Sequence, residues 1–168
     1  MKYILQTERL SVRELVLSDS PFILQLLNSA GWLRFIGDRN IKTEEGAKKY
    51  LEEGPIRSYG ENGYGLWLVE SREDARPMGM CGLLKRDNLD QPDLGFAFLP
   101  EFGGKGYAFE VAAAAFQYAR ATLGIPAVYA ITLTENERSI KLLQKIGMKY
   151  IRPFKLPDTQ TELLLFSS

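Results

Sequence analysis

A chain of 168 residues, 45% hydrophobic and 25% charged, has the composition of one globular domain with a well-filled core. Lysine plus arginine and aspartate plus glutamate number 21 each, so no net positive charge directs the chain to nucleic acid. Histidine is absent and Cys81 is the single cysteine, which excludes an intrachain disulfide, a histidine base and a histidine or cysteine metal cluster.

The N-terminal segment meets charged residues early, at Lys2, Glu8 and Arg9, and no long apolar run follows. It is therefore neither a signal peptide nor a membrane span. We expect a cytoplasmic protein with one domain over residues 1–168, no metal ion, and neither a membrane nor a nucleic acid among its partners.

The first half of the chain predicts helices followed by a series of strands. Leu10 and Val12 alternate with polar residues, which indicates a strand. The run Ser18-Asp19-Ser20-Pro21 supplies a capping side chain and then a proline near the first turn, which is the pattern of a helix start. In chain order we expect a strand over 9–14, a helix ending before Gly31, an irregular segment over 32–41, a helix from Thr43 to Gly54, a second irregular segment over 57–63, and an antiparallel meander of strands over 64–70, 78–84 and 94–99.

The second half has a different pattern. A long helix is predicted from Tyr107 to Leu123, with alanines along one face that allow close packing on a sheet, and Gly124 and Pro126 end it. A strand near 128–131, a helix over 135–146 and a closing hairpin over 150–156 and 161–166, turning at 157–160, complete the chain. Together these elements predict an α+β domain with a mixed sheet.

A glycine-rich junction joins the last strand of the meander to the long helix. Gly103, Gly104 and Gly106 lie where the backbone amides at the start of the helix have no intrahelical partner. With the helix dipole, these amides form a site suited to a phosphate or diphosphate, and glycine allows close approach. The alternative is a tight strand-to-helix turn without a ligand. A nucleotide phosphate loop is disfavoured because Gly106, not serine or threonine, follows Lys105, and the dinucleotide fingerprint fails at Phe109.

A second cluster of polar residues lies in the segment 134–148. Asn136 and Ser139 are three positions apart and project from one side of the predicted helix near its start. The structural alternative is that Thr134 and Glu137 form a capping box and Gly147 ends the helix.

These segments resemble the coenzyme-A motifs of the GNAT acetyltransferase superfamily. Gly104-Lys105-Gly106-Tyr107-Ala108 is similar to its pyrophosphate loop, and Asn136-x-x-Ser139 through Gly147-Met148 is similar to its second motif. The opening Thr7-Glu8-Arg9-Leu10-Ser11-Val12-Arg13 resembles the branch that contains ribosomal-protein N-terminal acetyltransferases. The resemblance covers roughly residues 7–166 and implies a GNAT-like mixed central β-sheet with splayed middle strands flanked by helices.

The resemblance also implies an activity, the transfer of acetyl from acetyl-CoA to a primary amine by direct attack without an acyl-enzyme. Acetyl-CoA is then a co-substrate, and its diphosphate lies on the backbone amides of the glycine loop. The residues that the resemblance assigns to its binding are Phe98, Leu99, Gly103, Gly104, Lys105, Gly106, Tyr107, Ala108, Asn136 and Ser139.

The catalytic roles follow from the same resemblance. Many relatives carry a tyrosine acid where Leu143 stands, so Ser139 is our candidate acid or hydrogen-bond donor to the leaving thiolate. Asp93, at the start of the strand before the loop, is the candidate base, although it equally fits a simple strand start. The backbone N–H near Leu99 is the expected donor to the thioester carbonyl. Two residues depart from the family: it often has glutamine or arginine where Glu101 stands, and threonine or serine where Phe109 stands.

The acceptor is expected to enter over three irregular segments, 32–40, 57–64 and 154–160. The loop carboxylates Asp38, Glu61 and Asp87 are available to attract a cationic amine. A protein N-terminal α-amine and a small-molecule amine both remain open as acceptors, as do a monomer and a homodimer. The alternative from another functional class is a non-catalytic acyl-CoA-binding sensor module.

Overall fold

The computed structural model describes residues 2–157 and 159–168. Within them, one mixed sheet has the strand order β1-β2-β3-β4-β5-β6-β8-β7, and only β5 and β6 are parallel neighbours. This arrangement confirms the predicted α+β class and mixed sheet. The strands are β1 (Tyr3–Gln6), β2 (Leu10–Arg13), β3 (Leu66–Ser71), β4 (Pro77–Leu84), β5 (Asp93–Phe98), β6 (Tyr129–Leu133), β7 (Lys149–Phe154) and β8 (Leu163–Ser167).

Helices cover both faces of the sheet. Because side chains alternate along a strand, Trp67 and Val69 of β3 enter one core while Leu66 and Leu68 enter the other. The first core is closed by α5, and the second by the helices that precede β3. The helices are α1 (Ser20–Leu27), α2 (Ala30–Phe35), α3 (Glu44–Leu51), α4 (Arg57–Asn62), α5 (Tyr107–Ala121) and α6 (Glu137–Lys145).

The alanine face of α5 is buried as expected. Ala112, Ala115 and Ala119 are fully inaccessible to solvent and pack on the sheet. Because these side chains are small, the helix axis lies close to the strands. This packing holds the start of α5 near the end of β5. The glycine junction is therefore held between two well-packed elements.

Three local predictions were wrong. The segment 32–41 contains most of α2, and 57–63 contains α4. Gly54-Pro55 does not end the second helix, because a wider π-helical turn over Glu52–Ile56 carries the chain from α3 into α4. A proline lacks an amide hydrogen and crowds the preceding turn, and the wider turn accommodates this. The sequence analysis also missed β1, which pairs with β2. Asp158, in the predicted turn of the closing hairpin, lies outside the described residues.

Arg13 ties three elements together from a buried position. Its guanidinium donates two hydrogen bonds to Asp19, at 2.9 and 3.0 Å, and one to Glu70 at 3.1 Å. Asp19 precedes α1 and Glu70 belongs to β3, so the cluster locks the first helix to the sheet. Buried charges require such pairing, since an isolated one loses its hydration without compensation.

Gly82 in β4 gives a prediction on stability. A β-carbon at this position would overlap the carbonyl oxygen of Gly65 and lie 2.9 Å from the Cα of Leu66. Both are backbone atoms and yield little, so Gly82→Ala should cost about 2 kcal/mol and lower Tm by about 4–8 °C. Gly95 is the matched control: it is the partner of Gly82 across β4 and β5, and its β-carbon would meet only side chains at 3.5 Å or more. Equal melting temperatures for both variants would contradict the prediction.

Cys81 is a buried free thiol in β4, and burial raises its pKa to about 12. No helix within the described residues is both long and apolar enough to cross a membrane.

Candidate active site

The parallel strands β5 and β6 separate soon after they meet. They share one register pair, Asp93 with Tyr129, next to a hydrogen bond from the Tyr129 amide to the Pro92 carbonyl at 2.9 Å. Beyond that pair β6 has no register partner in β5, while on its other side it pairs with β8 along its whole length. The two middle strands therefore form a V whose apex is Asp93, as the predicted splay requires.

The backbone groups of β5 that face β6 can be identified from the hydrogen bonds that β5 makes with β4 on its other side. The Leu99 amide donates to the Met78 carbonyl at 3.0 Å, and Phe98 is paired in register with Gly79. In an antiparallel ladder, backbone groups point alternately to either neighbour. The amide and carbonyl groups of Phe96 and Phe98 therefore face the gap between β5 and β6.

This alternation revises the expected role of Leu99. Its amide is engaged by β4, its carbonyl accepts from the Phe102 amide at 3.0 Å, and its side chain is buried in the second core. The available donor at this end of β5 is the Phe98 amide, one residue earlier. The sequence contained no signal for this choice, because the direction of a backbone amide depends on which strand lies beside it.

A cavity of about 1200 Å³ occupies the V and extends beneath α2 and α4. Four of the expected site residues line it together: Asp93 and Phe98 from β5, and Asn136 and Ser139 from the start of α6. Leu99 and residues 103–108 are not part of its wall. The glycine loop nevertheless lies next to the cavity. Arg138 lines the cavity, and its Nη1 atom lies 3.9 Å from the place that a β-carbon on Gly103 would occupy.

The glycine loop has the backbone geometry of an anion cradle. Gly104 and Gly106 have φ angles of +75° and +82°, in the left-handed region that favours glycine. A β-carbon at Gly104 would meet no atom within 4 Å, so the space in front of the loop is open. Within the described part of the chain, the amides of residues 104–109 donate to no protein group. Such a row at a helix N-terminus suits a diphosphate.

The two residues that depart from the family pattern, Glu101 and Phe109, each contact a cationic side chain. Glu101 is paired with Arg76 at 2.5 Å, so its charge is neutralised at the surface. Phe109 lies under the ammonium group of Lys145, 4.0 Å from the ring centroid, and so faces α6. Sequence reasoning missed both partners, which are distant in the chain.

The start of α6 corrects the predicted capping box. The helix begins at Glu137, and its cap is Asn136, whose side-chain oxygen accepts from the Ser139 amide at 3.3 Å. Thr134 lies outside the helix and donates instead to Glu135. The carboxamide of Asn136 thus has a structural role, while the Ser139 hydroxyl remains at the cavity wall.

Asp93 is nearly inaccessible, with 2% of its surface exposed, and it accepts a hydrogen bond from Arg86 Nε at 2.9 Å. Burial raises the pKa of the Asp93 carboxyl, and Arg86 opposes that shift. A buried carboxyl with a raised pKa at the apex of a cavity is a candidate proton acceptor.

All three segments expected to admit the acceptor contribute to the cavity wall. The first provides Trp32 and Phe35, the second Ser58 and Glu61, and the hairpin Leu156 among others. Asp38 does not line this cavity but a more open pocket that adjoins it, where the Asn40 amide and Lys42 lower the pKa of Asp38. The Tyr59 hydroxyl is buried and bonded to the backbone of Leu15 and Leu66. Across residues 2–157 and 159–168, no group of three or more His, Cys, Asp or Glu is placed to hold a metal ion.

Comparison with known proteins gives matches over most of the chain. Residues 9–149 match the family model described as an acetyltransferase (GNAT) domain. The chain is 26% identical over 147 residues, 87% of its length and 82% of the relative's, to the uncharacterized N-acetyltransferase YoaA of Bacillus subtilis.

Two solved structures are similar at lower identity. RimL, a ribosomal L7/L12 alpha-N-protein acetyltransferase in complex with coenzyme A, superposes with a TM-score of 0.85 at 14% identity, covering 99% of this chain and 97% of that one. Spermidine N-acetyltransferase from Vibrio cholerae, in complex with coenzyme A and spermine, superposes with a TM-score of 0.78 at 17% identity over 96% of both chains. At such identities the likeness establishes a shared fold.

Proposed function

The chain belongs to the GNAT family of acetyl-CoA-dependent acetyltransferases, and we propose that it acetylates a primary amine, with a protein N-terminal α-amine as the favoured acceptor. The observation that carries the proposal is the row of free amides over residues 104–109 at the open end of the gap between β5 and β6. A diphosphate on that row lets the arm of the coenzyme follow the free edge of β5 into the cavity.

The chain's own groups supply three functions around the reacting carbon. Acetyl-CoA, when bound, supplies the thioester whose acetyl group the amine receives. The Phe98 amide donates a hydrogen bond to the thioester carbonyl and polarises it. Ser139 donates a hydrogen bond to the leaving sulfur from the start of α6. Asp93, at the apex of the V, receives the proton that the amine must lose, through water molecules along the cavity, because five residues of extended strand, roughly 16 Å, separate it from Phe98.

The charge of the cavity favours a peptide over a polyamine. Its wall carries six cationic and five carboxylate side chains. Two of the carboxylates, Glu61 and Asp93, are neutralised by Arg57 and Arg86. The remaining charges give no carboxylate excess, which a polyamine with several positive charges would need. A peptide N-terminus brings one charge, which it loses before attack.

Ser139→Ala should lower kcat about 10-fold and leave the Kd for acetyl-CoA within about twofold. The hydroxyl contributes a single hydrogen bond to the leaving group, which has this magnitude. The cap of α6 uses the backbone amide of Ser139, so the substitution should also leave Tm unchanged. Asn136→Ala is the contrasting variant, because loss of a cap should cost about 1 kcal/mol of stability. An unaltered kcat in Ser139→Ala would remove its proposed role.

The proposed function is tested by ligand stabilisation followed by turnover. Acetyl-CoA at a hundred times its Kd should stabilise the protein by about 2.7 kcal/mol, and ATP should not. Stabilisation by ATP alone would reject the proposal.

Thiol release is then measured with a peptide bearing a free α-amine, with the same peptide acetylated, and with spermidine. Cys81 should not react with the thiol reagent at pH 8, because its pKa is about 12. Release with the free peptide alone is expected. Binding without release from any amine would indicate an acyl-CoA sensor.

A further inference from the structure

The opening motif of the chain reaches the glycine loop through Arg9, which lies between β1 and β2. Arg9 Nη1 donates to the Lys105 carbonyl at 3.0 Å, and the guanidinium carbon lies 4.3 Å from the centroid of the Tyr107 ring. A β-carbon on Gly106 would lie 3.4 Å from Arg9 Nη2. Arg9 therefore packs along one side of the loop, against three consecutive residues.

The hydrogen bond to Lys105 has a geometric consequence for the next amide. In a trans peptide, the carbonyl of one residue and the amide of the next point in opposite directions. Holding the Lys105 carbonyl toward Arg9 thus points the Gly106 amide to the opposite side of the loop. Gly106 has a φ of +82°, and because glycine adopts either sign of φ, the Lys105–Gly106 peptide can take either orientation unless another group fixes it.

Arg9 is itself held by Glu110, in the first turn of α5. Arg9 Nε donates to Glu110 at 2.7 Å and the Arg9 amide donates at 3.0 Å, while the Thr7 hydroxyl donates to the same carboxylate at 2.5 Å. Burial acts to raise the pKa of Glu110, but the hydrogen bonds from Thr7 and Arg9 outweigh it and lower the pKa. The carboxylate is therefore ionised, and Arg9 neutralises it beside the anion cradle.

We propose that Arg9 is a positioning residue for coenzyme A: bridging Glu110 and the Lys105 carbonyl, it fixes the Gly106 amide toward the diphosphate. The inference rests on the proposed function and adds a residue to the same site. Arg9 lies about a hundred positions before the loop that it orients and does not itself bind the ligand.

The first measurement is the Kd for coenzyme A by calorimetry. Arg9→Gln should weaken binding about 10- to 30-fold, the loss expected for a misaligned charge-assisted hydrogen bond. Dephospho-coenzyme A should lose affinity by the same factor, because it keeps the diphosphate. A loss seen with coenzyme A alone would place Arg9 at the 3′-phosphate and overturn the proposal.

The second measurement separates orientation from charge. Arg9→Gln combined with Glu110→Gln removes both charges but does not restore the bond to Lys105. We expect the double variant to remain about 5-fold or more weaker than the parent, and full recovery would show that Arg9 acts only by neutralising Glu110. Arg72→Gln is the matched control, since Arg72 donates to the Thr7 carbonyl at 2.8 Å without touching the glycine loop.

Turnover gives the readout that a general loss of structure would not reproduce. With the acceptor found by thiol release, Arg9→Gln should raise the KM for acetyl-CoA and leave kcat within about twofold. Arg9→Lys, which keeps the charge and is less disruptive, should show a smaller rise in the KM for acetyl-CoA. If Arg9→Gln does not fold, Arg9→Lys is the variant used for the test. If the parent binds coenzyme A and the Arg9 variants bind equally well, only this inference fails. If the parent does not bind, the proposed function itself fails.

Discussion

Gly104→Asp should weaken the binding of acetyl-CoA by about 30-fold or more. The substitution places a negative charge at the open face of the amide row, within a few ångströms of the expected diphosphate. Repulsion at such a distance is worth about 2 kcal/mol or more at an exposed protein surface. The β-carbon itself has room, since no atom lies within 4 Å of its position. The effect is therefore electrostatic, and it should diminish as the salt concentration rises.

Gly104→Asn is the matched control for this prediction. Asparagine has nearly the same shape as aspartate, and both tolerate the left-handed φ of +75° better than most residues. We expect it to bind acetyl-CoA within about 5-fold of the parent. Calorimetric titration of both variants at two salt concentrations gives the comparison. Equal affinities for the two variants would show that the diphosphate does not lie at this loop.

Asp93→Asn should lower kcat by about 100-fold or more and leave the Kd for acetyl-CoA nearly unchanged. Loss of a general base has effects of this size. The neutral side chain can still accept the hydrogen bond from Arg86, so the fold should be retained, which Tm checks. Asp90→Asn is the control on the loop just before β5, because Asp90 is exposed and, among the described residues, accepts a hydrogen bond from the Tyr129 hydroxyl alone.

The pH profile of Arg86→Gln tests the same role with a defined sign. Burial raises the pKa of Asp93, and the charge of Arg86 opposes that rise. Removing the charge should raise the pKa further. A base is active when deprotonated, so the acid limb of the kcat/KM profile should move to higher pH in Arg86→Gln. A limb that does not move would indicate that Asp93 is not the base.

The elements with strong local signals could be predicted from the sequence. The long helix α5, the glycine junction before it and the meander of β3, β4 and β5 were all placed within a few residues. Their signals lie in neighbouring residues: alanine and glycine spacing, capping side chains and alternation of apolar residues. The helices α2 and α4 were missed for the complementary reason. They are six residues long and depend on packing against the sheet rather than on local propensity.

By itself the sequence determined the family, the backbone chemistry of the glycine loop and the order of the elements around it, because each of these is encoded in short runs of residues. Only the tertiary structure decided that Phe98 rather than Leu99 presents the free amide, and that Asp93 lies at the apex of the V against Arg86. It also brought Arg9 to Glu110 across 101 positions of chain. Such pairings arise from the register and separation of strands, and these are set by the packing of the whole sheet rather than by any local pattern.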